Sequence, residues 1–216
     1  MLSWEAIDTV LLDMDGTLLD LNFDNVLWNE HIPQRYAEHH GMSAEAARDH
    51  LFAQFTAHRH TLQFYCLDHW SDVTGMDVVA MHRELAHLIR YRPYARAFLL
   101  RMMSSGRHVR LVTNAHRDGL DIKDEFTGLT ELTHQTISSH DYDAPKESQE
   151  FWRRFAKDHP FDKARALFID DNVHVLDAAR TFGIARLYIV SQPDSARPPR
   201  DGFEYPAFNG FDEIMP

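Results

Sequence analysis

The amino-acid sequence predicts an α/β fold, a doubly wound parallel sheet with one all-helical insertion placed early in the chain. From residue 93 to residue 190 short apolar runs alternate with amphipathic helical stretches, the pattern of a parallel sheet covered by helices on both faces. Right-handed crossovers between parallel strands then wind the chain to both sides of the sheet. Between the first strand and this alternating region, residues 20–92 carry almost no strand-like run. The expected organisation is a core of residues 1–19 and 93–216 and a helical cap of residues 20–92.

The first strand is Thr9-Val10-Leu11-Leu12, β-branched and apolar. Asp13-Met14-Asp15-Gly16 follows at once. Residues two apart at a strand end point the same way, so the two carboxylates crowd each other unless a cation or a proton intervenes. Gly16 lets the backbone turn. Within the insertion the spacing predicts helices over 23–40, broken near Pro33, over 44–56 behind an N-cap at Ser43, over 64–73 ending at Gly75, and over 77–89. Ala47, Leu51, Phe52 and Phe55 share one stripe of the second of these. Pro93 is expected to open the next helix as its first residue. Strands then fall at 109–113, 136–139, 166–169 and 186–190, with helices at 118–126, 146–158 and 173–182 between them. The tail beyond Gln192, rich in Pro, Asp, Arg and Gly, reads as loop pinned by Phe203, Tyr205 and Phe211.

The bulk properties narrow the function. At 216 residues the chain can bury a sizeable core, and 44% hydrophobic with 25% charged residues is an ordinary globular balance. No apolar run approaches the ~20 residues that span a bilayer, and the first residues lack the basic start and apolar stretch of a signal peptide. Cys66 is the single cysteine, so no intrachain disulfide forms. These features point to the cytoplasm. A formal charge of −11 argues against a nucleic-acid polymer as partner, though not against a small phosphorylated substrate met by local cations.

Ligands of open α/β sheets bind beyond the carboxyl ends of the strands. There the sequence places Asp13 and Asp15, then Thr113-Asn114, then Pro145-Lys146, then Asp170-Asp171. Each has a plainer explanation when taken singly. Thr113-Asn114 suits a strand-end turn, Lys146 a solvated first-turn lysine, and Asp170-Asp171-Asn172 a helix cap. Their joint convergence on one edge does not. In this order, D-M-D-G-T-L-L, V-T-N, P-K-E and F-I-D-D-N resemble the four motifs of the haloacid dehalogenase-like (HAD) hydrolases, and the insertion stands where that superfamily carries its helical cap. Within it the chain is similar to the bacterial GMP/IMP nucleotidases almost end to end, including residues 60–70 and Pro193-Asp194-Ser195.

The resemblance implies a Mg²⁺-dependent phosphatase acting through an aspartyl-phosphate, with Asp13 as nucleophile and Asp15 as acid–base. Thr113, Asn114 and Lys146 would bind phosphate, and Asp13, Asp15 (through its backbone carbonyl) and Asp170 the metal. The chemistry agrees. Mg²⁺ takes oxygen ligands and keeps several waters, a carboxylate can attack phosphorus, and phosphoryl transfer is catalysed mainly by positioning and charge. Asp171 would complete the outer shell through a water or hold Lys146. The implied substrate is a purine nucleotide, with Arg59, Gln63, Tyr65 and His116 as candidate specificity residues on a monomer or small homo-oligomer. The core motifs alone equally suit a phosphatase or phosphomutase of sugar phosphates. A phospho-acceptor receiver domain would use a similar Asp, Thr and Lys, but it lacks a cap-sized insertion. The 15 histidines carry no CxxC or HExxH spacing, so His39-His40 and His58-Arg59-His60 read as surface or core residues. Cys66 reads as a small buried apolar residue. Phe23, Trp28, Tyr65 and Trp70 could stack on a base, although their helical spacing suits core positions.

Overall fold

A computed structural model of the chain describes residues 2–216. Its sheet has six strands in the order β3-β2-β1-β4-β5-β6, every neighbouring pair parallel. β1 (Thr9–Leu12) lies at the centre and is buried along its whole length. Five helices then intervene before the sheet resumes: α1 (Asn22–Val26), α2 (Ile32–His40), α3 (Ala44–His58), α4 (Leu67–Thr74) and α5 (Val78–Glu84). After them come α6 (Ala95–Met103), β2 (His108–Thr113), α7 (Arg117–Thr127), β3 (Gln135–Ser138), α8 (Gln149–Asp158), β4 (Ala166–Asp170), α9 (Val173–Phe182), β5 (Arg186–Val190) and β6 (Ala207–Phe208).

Strand periodicity divides the core into two layers. Val10 and Leu12 of β1 pack with Phe98 and Leu99 of α6 and Leu120 of α7. Leu11 points the other way, towards Phe151, Trp152 and Phe155 of α8 and Leu176 of α9. Burying side chains of this size stabilises the fold by roughly 2 kcal/mol each. The helices of the insertion bury a third cluster of their own, with Phe23, Leu27, Leu51, Leu67, Trp70 and Val78 at its centre. No helix among the described residues is long and apolar enough to cross a membrane.

The two passages between core and insertion run side by side. Leu19 and Tyr91 form an antiparallel bridge, the Asp20 N–H donates to Arg90 O at 2.9 Å, and the Arg92 N–H donates to Leu18 O at 2.9 Å. The buried Arg92 guanidinium donates to Gln192 O at 2.7 Å and Asn209 O at 2.9 Å. Arg90 Nε donates to Asp20 Oδ2 at 3.0 Å.

Several sequence expectations are corrected by local chemistry. Pro33 does not break its helix. The turn before it, Leu27–His31, winds as π-helix, and that wider turn accommodates the proline and its missing N–H while the chain stays helical into α2. Pro93 stays outside its helix, because Pro93 O accepts from Phe211 N–H and Tyr94 takes the left-handed region at φ 61°. Phe64 lies in a 3-10 turn, Leu62–Tyr65, before α4. Phe52 is 61% exposed, off the buried stripe of α3. α8 begins at Gln149, capped by the Ser148 hydroxyl, which accepts from Phe151 N–H at 3.2 Å. Lys146 therefore precedes the helix instead of opening it. β6, two residues long, was too short to show a period.

Candidate active site

The site forms at the point where the sheet order reverses, between β1 and the neighbours β2 and β4. Beyond β1 the Asp13 N–H continues the ladder to Ile169 O at 3.0 Å. The chain then wraps around Met14, whose carbonyl accepts from Leu18 N–H at 2.9 Å and Leu19 N–H at 2.8 Å. Gly16 holds φ +79°, and a Cβ there would lie 2.7 Å from Asp171 Cγ, so only glycine brings this turn against that carboxylate.

Lys146, 2% exposed, ties the strand ends together. Its ammonium has three protons and three acceptors: Asp13 Oδ1 at 2.6 Å, Asp170 Oδ2 at 2.8 Å and Val112 O at 3.0 Å. Although burial opposes it, the carboxylates of Asp13 and Asp170 hold this ammonium above the ordinary lysine range. The turn that presents it is fixed from β2. Asn114 Oδ1 accepts the Lys146 N–H at 2.9 Å, while Asn114 Nδ2 donates to Glu147 Oε2 at 2.9 Å. The Asn114 side chain is therefore committed to the loop, leaving its backbone for a ligand. The Thr113 hydroxyl accepts from Ala115 N–H at 3.0 Å.

Asp13, Asp170 and Asp171 each offer an oxygen within 4.8 Å of the others. Burial pushes Asp13 and Asp170 above the carboxylate range against the pull of Lys146, with each other's charge or a neighbour's adding to the rise. Burial, followed by the charge of Asp13, pushes Asp171 up to about 7. Two of these carboxylates are buried and Asp171 is half-buried; the Lys146 ammonium and, 3.8 Å from Asp171 Oδ2, the Arg200 guanidinium leave the group, with Asp15 beside it, short of positive charge. A hard divalent cation with oxygen ligands fits that donor set and that deficit. The Asp15 side chain is not part of this group, and the third carboxylate is Asp171, which the sequence placed in an outer shell. Asp15 Oδ1 instead accepts from Lys123 Nζ at 2.7 Å, and the same ammonium donates to Asp24 Oδ1 at 2.8 Å. Burial, then the charge of Asp24, raises Asp15 above its usual range while Lys123 opposes.

A cavity of about 630 Å³ opens above these groups. Its floor includes Asp13, Asp15, Thr113, Asn114, Lys146 and Asp170. The insertion supplies its far wall, with Trp28, Phe55, Phe64 and Tyr65 and, at its edge, Phe52 with Arg59 6.0 Å over its ring. Asp171 and His116 also line it. Gln63 does not; it is exposed, because the short turn that aims Phe64 and Tyr65 inward leaves the preceding position to solvent. Tyr65 reaches across the seam, its hydroxyl donating to Glu147 Oε1 at 2.7 Å. Phe23 and Trp70 are core residues, each 1% exposed, although Trp70 also lines the cavity.

Sequence reasoning missed Lys123, Asp24 and Arg200, whose Nη2 donates to Asp171 O at 2.8 Å, and left Glu147 as an unassigned member of P-K-E. Lys123 did leave a signal. It follows Gly119 and Leu120 by four and three residues on the buried face of α7, where an unpaired lysine is costly. Asp24 left none.

An open α/β sheet with a buried carboxylate, a lysine clamp and a hard-cation donor set under a helical cover points to a hydrolase. A family model of haloacid dehalogenase-like hydrolases matches residues 7–183, and the chain belongs to that family. The GMP/IMP nucleotidase YrfG of Escherichia coli K12 is 38% identical over 215 residues, covering 100% of this chain and 97% of that protein. A HAD phosphatase from Thermococcus onnurineus has the same fold, with a TM-score of 0.80 at 16% identity over 96% of each chain. The HAD-hydrolase YfnB from Bacillus subtilis, in a structure bound to magnesium, aligns with a TM-score of 0.61 at 14% identity over 96% of each chain.

Proposed function

We propose that the chain is a cytoplasmic, Mg²⁺-dependent phosphoric monoester hydrolase that removes the phosphate of purine nucleoside 5′-monophosphates by way of a phosphorylated Asp13. The observation that carries this reading is the knot of Asp13, Lys146 and Asp170 beside Asp171, on the floor of a cavity walled by aromatic rings. Asp13 attacks phosphorus as the bond to the nucleoside oxygen breaks. Asp15, whose raised pKa suits an acid, gives that oxygen its proton. It then takes a proton from the water that attacks the phosphorylated Asp13, and inorganic phosphate leaves. The Thr113 hydroxyl and the Asn114 backbone donate to phosphoryl oxygens, and Lys146 adds positive charge on the side of the nucleophile. Mg²⁺, held by Asp13, Asp170 and Asp171 with the Asp15 carbonyl, would supply charge neutralisation and orientation of the phosphate.

The purine assignment is supported by the aromatic wall, by Arg59 at its edge and by the likeness to YrfG. Residues 20–92 act as the cap, closing over bound substrate on the paired passages at 18–20 and 90–92. The test is a phosphate-release screen over nucleoside monophosphates and sugar phosphates, with and without Mg²⁺. IMP and GMP should give the highest kcat/KM, and chelation should stop turnover. A preference for sugar phosphates would overturn the substrate, and undiminished release after exhaustive chelation would overturn the metal.

A further inference from the structure

Outside the carboxylate cluster, a second group of side chains has the makings of a metal site, with different chemistry. Cys66, His116 and His140 each offer a donor atom within 4.8 Å of the other two. They come from three separate places. Cys66 is the N-cap residue of α4 in the insertion, His116 precedes α7 after the Thr113-Asn114 turn, and His140 lies on the 3-10 turn Ser139–Tyr142 that follows β3. All three are half-buried.

The imidazoles show what a metal would satisfy. His116 Nδ1 and His140 Nε2 are buried and have no hydrogen-bond partner, an expensive condition for polar nitrogens. Their rings meet edge to face with centroids 5.0 Å apart. His116 also has the carboxylate support typical of ligating histidines. Asp68 Oδ2 stands 3.6 Å from its Nε2 and Asp118 Oδ2 3.6 Å from its Nδ1. Whichever nitrogen binds, a carboxylate faces the other. Cys66 Sγ accepts from His69 N–H at 3.5 Å, and the N-terminus of α4 faces the negative charge that a metal-bound sulfur carries.

We propose that Cys66, His116 and His140 form a binding site for a soft divalent cation of the Zn²⁺ class, joining the insertion to the core. Thiolate and imidazole ligands select such ions, whereas Mg²⁺ goes to the oxygen-only cluster. Around a tetrahedral zinc, donor atoms lie about 3.3–3.8 Å apart, so donors that all lie within 4.8 Å of one another have at most about 1.5 Å to close on binding. The fourth position falls to water or to one of the two carboxylates. Binding releases the Cys66 thiol proton to solvent. One ligand stands on the insertion and two on the core, so the bound metal fixes these parts in the closed arrangement and slows turnover.

The test is a titration of the metal-free protein with Co²⁺ in excess Mg²⁺. One equivalent should give a thiolate-to-cobalt charge-transfer band and tetrahedral d–d bands, both abolished by Zn²⁺. Cobalt in the carboxylate cluster has no sulfur ligand and gives no such charge-transfer band. Cys66→Ser, which keeps an N-cap side chain for α4, should remove the charge-transfer band, and His140→Ala should weaken Zn²⁺ binding by about tenfold or more. With Mg²⁺ present, Zn²⁺ should inhibit phosphate release by the wild type, and Cys66→Ser should relieve that inhibition. A cobalt spectrum without the thiolate band, or one that survives in Cys66→Ser, overturns the site. Zn²⁺ inhibition equal in the two proteins overturns the closure.

Discussion

Two buried lysines hold this active site, and their partners differ. Lys146 joins two carboxylates of the core, Asp13 and Asp170, and a core carbonyl. Lys123 joins Asp15 of the core to Asp24 of the insertion. The first clamp is complete whatever the insertion does. The second is complete only while α1 lies over the sheet edge. On the proposed mechanism the contrast separates a reaction floor held within the core from an acid–base whose charge environment would depend on closure of the insertion. If the insertion swings away, Asp24 goes with it. Lys123 then serves Asp15 alone, and both the hydrogen bonding and the raised pKa of Asp15 change.

The largest effect should fall on the rigid side. Asp13→Asn should lower kcat by about 10⁴-fold or more with little change in the thermal midpoint, read by phosphate release and calorimetry on the same preparation. Lys146→Met should be as inactive and also less stable by about 3–5 kcal/mol, since it leaves two buried carboxylates without their cation. A Lys146→Met protein of wild-type stability would mean that the clamp is not needed to hold the strand ends.

Lys123→Met is expected to cost about 10²-fold in kcat and to shift the pH–rate profile, because Asp15 loses its ammonium. Adding Asp24→Asn should recover stability but not rate. Recovery of both would remove the distinction between the two lysines.

The Lys123 side also predicts a pH effect. His82 packs near Gly119 on the same face of α7 as Lys123, and burial, then the charge of Lys123, pushes it down to about 4 from an ordinary 6.5. The unfolded chain therefore binds a proton at His82 that the folded chain refuses. Stability from the neutral imidazole is present above pH 6.5 and is lost as pH falls towards 4. The raised carboxylates act with the opposite sign, so the informative quantity is a difference. Between those two pH values the wild type should lose about 2–3 kcal/mol relative to His82→Gln in urea unfolding. Parallel curves would show that His82 is not held neutral.

Smallest, and confined to the cap, Arg59→Ala and Phe64→Ala should reduce kcat/KM for IMP by about tenfold while changing p-nitrophenyl phosphate less than about twofold. Gln63→Ala should leave both unchanged. Equal losses on the two substrates would mean that these side chains act on the reaction floor and not on the base.

What the sequence disclosed follows the same division. The strands, their order of appearance and the groups at their carboxyl ends were legible because apolar runs and the chemistry that follows them are local in the chain. Asp13, Thr113, Lys146 and Asp170 each stand at or just beyond the end of a readable element. That Asp171 stands with Asp13 and Asp170 was not legible, because the approach of the Gly16 turn to Asp171 is a contact between distant parts of the chain. Gln63 was misplaced because a 3-10 turn over Leu62–Tyr65, not expected from the sequence, turns it to solvent. Asp24, Tyr65 with Glu147, and Cys66 with His116 and His140 meet only through tertiary packing, across separations that no local pattern records. Lys123 lay between these cases, since a lysine on a buried helix face asks for a partner without naming it.

The paired passages at Leu18–Asp20 and Arg90–Arg92 carry a consequence for assembly. The insertion leaves and re-enters the sheet at neighbouring hydrogen bonds, so to the core it is a closed loop with its ends already fastened. Doubling the length of such a loop costs only about 0.6 kcal/mol in closure entropy. The strand register is thus nearly indifferent to the length of the loop, while its content still matters to the site through Asp24 and Tyr65. On heating, a module with its own small apolar cluster can melt while the strand ends stay assembled. Over that temperature range the protein should lose its preference among nucleotides yet still cleave small activated phosphoesters.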